Sequence, residues 1–284
     1  MKTLKPVAHG LQLAMIVCGH SAVELLEKGW TLNIPPKVAG SAGLFPGQTI
    51  FGFIEQESGR LLLSPLKLTS TVSYYRMFLD DVRGSLATVT KLFSDRKLNI
   101  LSGGAFAFSN IWISEFLVDF GGSRVSPDDV INELSGMGGF VTSREITELF
   151  PVSFNLSTTY KVIEDQVGVK LVSSLPAESL IKRARYAVIK AWPRIRALFI
   201  DFYPPESNLT HLNALIKDVP GSLTKLTETI GTQVNLNAID ELHHDETSSE
   251  WNAYGELVVG DVEELVAKTK TLDTVLNFNA QVLR

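Results

Sequence analysis

Cysteine is almost missing from this sequence. Cys18 is the only one in 284 residues, so no internal disulfide can form and no cysteine cage for a metal is available. Such usage fits a reducing cytoplasm, where the protein is expected to work. A continuous apolar run of about 18 residues, the length a membrane helix needs, is also missing. The stretch Leu11 to Cys18 behind Lys2 and Lys5 is too short, and too interrupted by His9, Gly10 and Gln12, to act as an export signal. No membrane partner is expected. Nor is there an excess of positive charge: 26 Lys and Arg face 31 Asp and Glu, a net charge of -5. That argues against coating nucleic acid by bulk electrostatics and leaves room for a local basic face.

Catalytic signatures are lacking as well. The chain has no Gly-x-Ser-x-Gly elbow, no phosphate-binding Gly-Lys-Ser/Thr loop and no Gly-x-Gly-x-x-Gly turn. His243-His244-Asp245-Glu246 offers metal-binding side chains without the i, i+4 helical spacing of a zinc site. The expectation is a non-catalytic chain with no cofactor and no metal.

What is present is a repeat. Asp81-Val82-Arg83-Gly84-Ser85-Leu86, with Asn99-Ile100 downstream, recurs as Asp218-Val219-Pro220-Gly221-Ser222-Leu223 with Asn235-Leu236 downstream. Strand-like runs precede each motif, at 71–79 and 211–217. Helical spacing follows: Leu86, Val89, Leu92 and Phe93 in one copy, Leu223, Leu226 and Ile230 in the other. Ser85 and Ser222 stand where helix N-caps are expected. Two extended segments come next, then a helix opened by Ser126-Pro127 or Gly260-Asp261, then a last strand. Each copy therefore reads strand, helix, strand, strand, helix, strand, the ferredoxin-like order. The predicted class is α+β, with two such domains at 71–150 and 208–284.

Gly84 and Gly221 lie between first strand and first helix. A residue without a side chain there lets a ligand approach the backbone, and the free N–H groups of the helix start form an anion site. An amino-acid carboxylate would suit it. The same residues form tight turns in chains that bind nothing, so both readings stand at this point.

The Asp-x-x-Gly-Ser-Leu turn followed by Asn and an aliphatic residue resembles the ACT domain. The resemblance implies binding of a small effector, most often an amino acid, between paired domains, and so a homo-oligomer. By motif position it implies contacts at Asp218, Gly221, Ser222, Leu223 and Asn235, and at Asp81, Gly84, Ser85 and Leu86. Pro220 is closer to the family pattern than Arg83, which favours the second copy.

The N-terminal segment, residues 1–70, carries Lys28-Gly29-Trp30-Thr31-Leu32-Asn33-Ile34-Pro35, then Leu44-Phe45-Pro46-Gly47, then Gly59-Arg60-Leu61-Leu62-Leu63-Ser64-Pro65. It reads as short strands with a helical turn and a Pro-Gly turn. It resembles the AbrB/SpoVT swapped-hairpin fold, in which two chains interlock into one barrel. That resemblance implies DNA contacts at Lys28, Lys37, Arg60 and Lys67, or a barrel that only dimerises. Residues 1–72 carry six basic against four acidic side chains, a thin supply for phosphate contacts. Residues 151–207 are expected to be a connector: an amphipathic basic helix from Pro176 to Trp192, then a strand at 195–203. Taken together, the expected function is amino-acid sensing, coupled to transcription or, alternatively, to a metabolic enzyme through non-catalytic partnership.

Overall fold

The computed structural model describes residues 16–54, 60–66, 68, 71–80, 82–108, 111–137, 140–145, 157–165, 168–173, 179–243 and 247–283. The elements in chain order are β1 (Val17–Leu25), β2 (Trp30–Ile34), α1 (Pro36–Ala42), β3 (Thr49–Ile54) and β4 (Leu61–Ser64). Then come β5 (Val72–Asp80), α2 (Ser85–Asp95), β6 (Asn99–Phe108), β7 (Ile111–Asp119), α3 (Pro127–Ser135) and β8 (Phe140–Glu145). They are followed by β9 (Ser157–Asp165), β10 (Gly168–Ser173), α4 (Ser179–Arg183), β11 (Tyr186–Trp192) and β12 (Ala197–Tyr203). The chain ends with β13 (Leu209–Lys217), α5 (Ser222–Gly231), β14 (Val234–His243), β15 (Ser248–Leu257), α6 (Val262–Thr269) and β16 (Val275–Val282). No helix among the described residues is long and apolar enough to cross a membrane. Contacts divide the chain into two compact units, Met1–Pro65 with Leu156–Arg284, and Leu66–Asn155.

The first unit holds a closed eight-stranded barrel in the order β1-β11-β12-β4-β3-β9-β10-β2. Side chains from four of these strands enter it with period two: Trp30, Leu32 and Ile34; Leu61 and Leu63; Ala187, Ile189 and Ala191; Leu198, Ile200 and Phe202. Eight strands leave room for such side chains and little else. The barrel comes in two halves of the same order, strand, strand, short helix, strand, strand, at 17–64 and 157–203. Exchanging the halves maps the strand order onto itself. Each half's hairpins pair with those of the other, β1 with β11, β3 with β9, β12 with β4 and β10 with β2.

Two expectations are corrected here. The partner half of the barrel was expected from a second chain; residues 157–203 of the same chain supply it. The long basic helix expected over 176–192 is instead a five-residue α4 and the strand β11. Ala184, Ala187 and Ala191 fit helical spacing, but Ala187, Ile189 and Ala191 fit a strand equally. The β-branched and aromatic residues Tyr186, Val188, Ile189 and Trp192 tip that stretch to strand.

The first unit also holds the second ferredoxin-like module, with sheet order β14-β15-β13-β16. Its helices pack on one face over Leu212, Ala214, Ile216, Leu226, Ile230, Trp251, Leu265 and Phe278. The second unit is the first such module, with the equivalent order β6-β7-β5-β8. Tyr75, Met77, Val89, Phe93, Phe116, Val130 and Leu134 form its core. Leu86, expected on the buried stripe, is 48% exposed at the helix start; Val89, Leu92 and Phe93 carry the packing of α2.

Candidate functional site

Both repeated motifs sit at the turn between the first strand and first helix of a module. The expected serine N-caps are corrected: the cap position is the preceding glycine, left-handed at φ 96° for Gly84 and 89° for Gly221. The serine is then the first helical residue, and its side chain is placed too late to reach the N–H groups of the first turn. Neither α2 nor α5 has a side-chain cap. The second helices differ: Ser126 and Asp129 form a capping box on α3, and Asp261 accepts from Glu264 N–H on α6. So the first helix of each module starts without a side-chain cap among the described residues, and the second starts with one. A Cβ built on Gly84 or Gly221 would meet nothing within 4 Å, so the space over each turn is open.

The two turns are not equivalent. In the first module the Ser85 hydroxyl donates back to the carbonyls of Asp80 and Val82 and accepts from Val82 N–H. That turn satisfies itself. A shallow hollow of about 580 Å³ lies over it, lined by Val82, Arg83, Leu86 and Trp112 among others. Asp81, the acid predicted for this copy, lies outside the described residues.

In the second module Ser222 is 2% exposed, and its Oγ has no hydrogen-bond partner among the described residues. Asp218 donates its backbone N–H to Thr247, which ties the head of the turn to the approach to β15. Val219 and Leu223 are exposed apolar side chains on either side of Gly221. Asn235 is exposed at the head of β14, in register with Glu256, and makes no hydrogen bond to the turn among the described residues. The structure thus brings Asp218, Gly221, Ser222 and Leu223 into one turn and leaves Asn235 on the neighbouring strand.

The predicted DNA contacts are dispersed and partly engaged. Arg60 donates from Nε to Asp201 at 2.5 Å, and Lys37 lies 3.5 Å from Asp240. Lys28 is exposed. Lys67 lies outside the described residues, as do His244, Asp245 and Glu246. Among the described residues no group of three or more His, Cys, Asp or Glu is placed to hold a metal.

Sequence reasoning missed a polar seam between the barrel and the second module, both in the first unit. Asp240 of β14 accepts from Cys18 N–H at 2.9 Å and from Asn252 Nδ2 at 2.9 Å. Lys190 pairs with Asp201 and also donates to Asn237 at 3.0 Å. Burial alone would raise Asp201, but Lys190 and Arg60 outweigh it and hold its carboxyl below the usual range. Burial, aided by Asp240, pushes the Cys18 thiol up to about 12. The available signal was alternation: Asp240, Asn252 and His211 each occupy the strand face opposite the helix-facing apolar residues.

No protein-family model matches the sequence, and no curated protein matches it. Among solved structures, an unknown protein from Galdieria sulphuraria is 8% identical, with a TM-score of 0.32 over 75% of this chain and 99% of that one. The regulatory subunit of aspartate kinase from Thermus flavus is 10% identical, with a TM-score of 0.23 over 68% of this chain and 86% of that one. The small subunit of acetolactate synthase from Thermotoga maritima is 13% identical, with a TM-score of 0.18 over 74% and 93%. At such values the fold reading rests on the chain's own strand order.

Proposed function

We propose that this chain is a non-catalytic, amino-acid-sensing regulatory protein of the cytoplasm whose second, ACT-type module takes the effector over the Gly221 turn. One observation carries the reading: α5 begins uncapped on a left-handed glycine with open space above it, beside a buried serine hydroxyl that has no partner among the described residues. The positive end of a helix, with N–H groups facing outward, suits a carboxylate. Asp218 supplies a carboxylate for the amino group, and Val219 and Leu223 supply apolar surface for a side chain. The first module's turn, closed on itself through Ser85, serves structure. The exposed Val219 and Leu223 also suit cover by a paired module, hence a homo-oligomer.

The test is thermal unfolding against each of the twenty amino acids. A ligand that binds only the folded state stabilises it by about 2.7 kcal/mol at a hundred times its Kd, which raises Tm by a few degrees in a protein of this size. One or a few amino acids are expected to do so, with the shift reduced in Ser222→Ala. No shift from any of them would sink the reading.

For the output of sensing, the pairing of Lys37 with Asp240 and of Arg60 with Asp201 favours the second reading, partnership with an amino-acid metabolic enzyme. The transcriptional reading requires DNA binding with a steep salt dependence that the amino acid changes. Co-purification of a biosynthetic enzyme without DNA binding supports the partnership instead.

A further inference from the structure

The open sheet face of the second module is partly closed by the barrel. Cys18, Val188 and Tyr203 of the barrel pack with Leu209, Ala238, Tyr254 and Leu283 of the module into one apolar cluster. Beside it His20, His211 and Tyr254 bring three rings into mutual contact. His211 on β13 and Tyr254 on β15 are directly opposite in register and stack at 4.7 Å with an interplanar angle of 11°. His20 on β1 reaches in from the barrel. Its ring lies 5.4 Å from Tyr254 and 5.5 Å from His211, and its Nδ1 shares a hydrogen bond with the Tyr254 hydroxyl at 3.2 Å. His211 Nε2 bonds Asn252 Oδ1 at 2.5 Å, and the Asn252 amide passes the link on to Asp240.

We propose that this seam is a pH-gated joint: barrel and second module stay docked while at most one of His20 and His211 carries a proton, and loosen when both do.

The geometry makes the second proton unfavourable. Two imidazolium rings 5.5 Å apart in a half-buried site repel with little solvent to screen them. The charges around the pair offer no relief. From β14, Asp240 faces the seam with both oxygens engaged, one by Cys18 N–H and Lys37 of α1, the other by Asn252. From β12, Asp201 is held by Lys190 of β11 and by Arg60. From β15, Glu256 accepts from Ser207, and the Tyr254 hydroxyl is neutral, as is that of Tyr203 on β12, both held above their ordinary range by burial. Cys18 of β1 is a neutral thiol. One imidazolium at His211 is tolerable, because Asn252 accepts its proton with Asp240 behind. At His20 the partner among the described residues is the neutral Tyr254 hydroxyl, with no carboxylate behind it.

Burial first, and then His211, also hold His20 below the ordinary imidazole range. The sign follows. A histidine depressed in the docked form and ordinary in the loosened form, near 6.5, contributes nothing against docking above that value. Docking weakens as pH falls through about 6.5 toward the docked value.

Hydrogen exchange on the full chain at pH 7.5, 6.5 and 5.5, corrected for the intrinsic pH dependence of exchange, tests this. Protection of the Cys18 amide, which donates across the seam to Asp240, is expected to drop about tenfold or more over that range, while β2, whose Trp30, Leu32 and Ile34 fill the barrel, stays protected. In His20→Gln, where a neutral amide keeps a partner for Tyr254, the drop should be lost. In the unmodified protein, ring titration by NMR should show His20 protonating below the ordinary imidazole range. Unchanged seam protection in the wild type, an equal drop in His20→Gln, or an ordinary titration of the His20 ring would overturn the proposal. No effector is involved, so the result stands apart from the sensing reading.

Discussion

Asp201 is buried in the barrel wall with Lys190 and Arg60 as its partners, and removing it leaves Lys190 without a counter-charge. Asp201→Ala is expected to cost about 3 kcal/mol, as breaking a buried pair does, measured as the shift of the denaturant midpoint. The pH sign is fixed by the same contacts. The carboxyl is held below its ordinary value, so its contribution is complete above about pH 4 and lost as pH falls through the lowered value. The acid limb of the stability profile should therefore be shallower in Asp201→Asn than in the wild type. A second single-residue test lies in the other unit. A Cβ on Gly103 would come within 2.1 Å of the Phe116 ring, so Gly103→Ala forces that ring aside and should cost about 1–3 kcal/mol. The adjacent Gly104→Ala, with nothing within 4 Å, is the control that should change little.

At the scale of elements, the two modules were legible because their spacing is redundant. Asp261 as a cap, the serine-proline start of α3 and the Gly-Ser-Leu turns each mark a boundary, and the strands between alternate cleanly. What failed was the detail of the first helices. A serine after a glycine invites reading as a cap, yet the left-handed glycine starts the helix one residue sooner and turns Ser222 inward. The stretch 180–192 failed for a different reason. Its small alanines satisfy helical and strand periods together, and only its pairing with β1 and β12 decides between them. Local pattern does not contain that partner. β1 is likewise not legible in the sequence, where the apolar run Leu11 to Cys18 reaches only its first two residues, because its strand character comes from β11 and β2 on either side.

At the scale of the molecule, the chain is a duplicated unit in which half a barrel precedes a ferredoxin-like module, twice. The repeat was visible in the modules, where the motif residues recur, and invisible in the barrel halves, where only the strand order does. The consequence is testable by cutting. Residues 1–145 and 157–284 expressed as two chains should co-purify as a one-to-one complex, because each half lacks the strands its hairpins pair with. Two separately folded, non-associating fragments would contradict the interlocked barrel. The sensing claim rests on a narrower feature, the turn at Gly221, and calorimetric titration of the stabilising amino acid tests it most directly. The prediction is one site per chain, lost in Gly221→Val and kept in Gly84→Val; heat that persists in Gly221→Val, or no binding of any amino acid to the wild type, would contradict it.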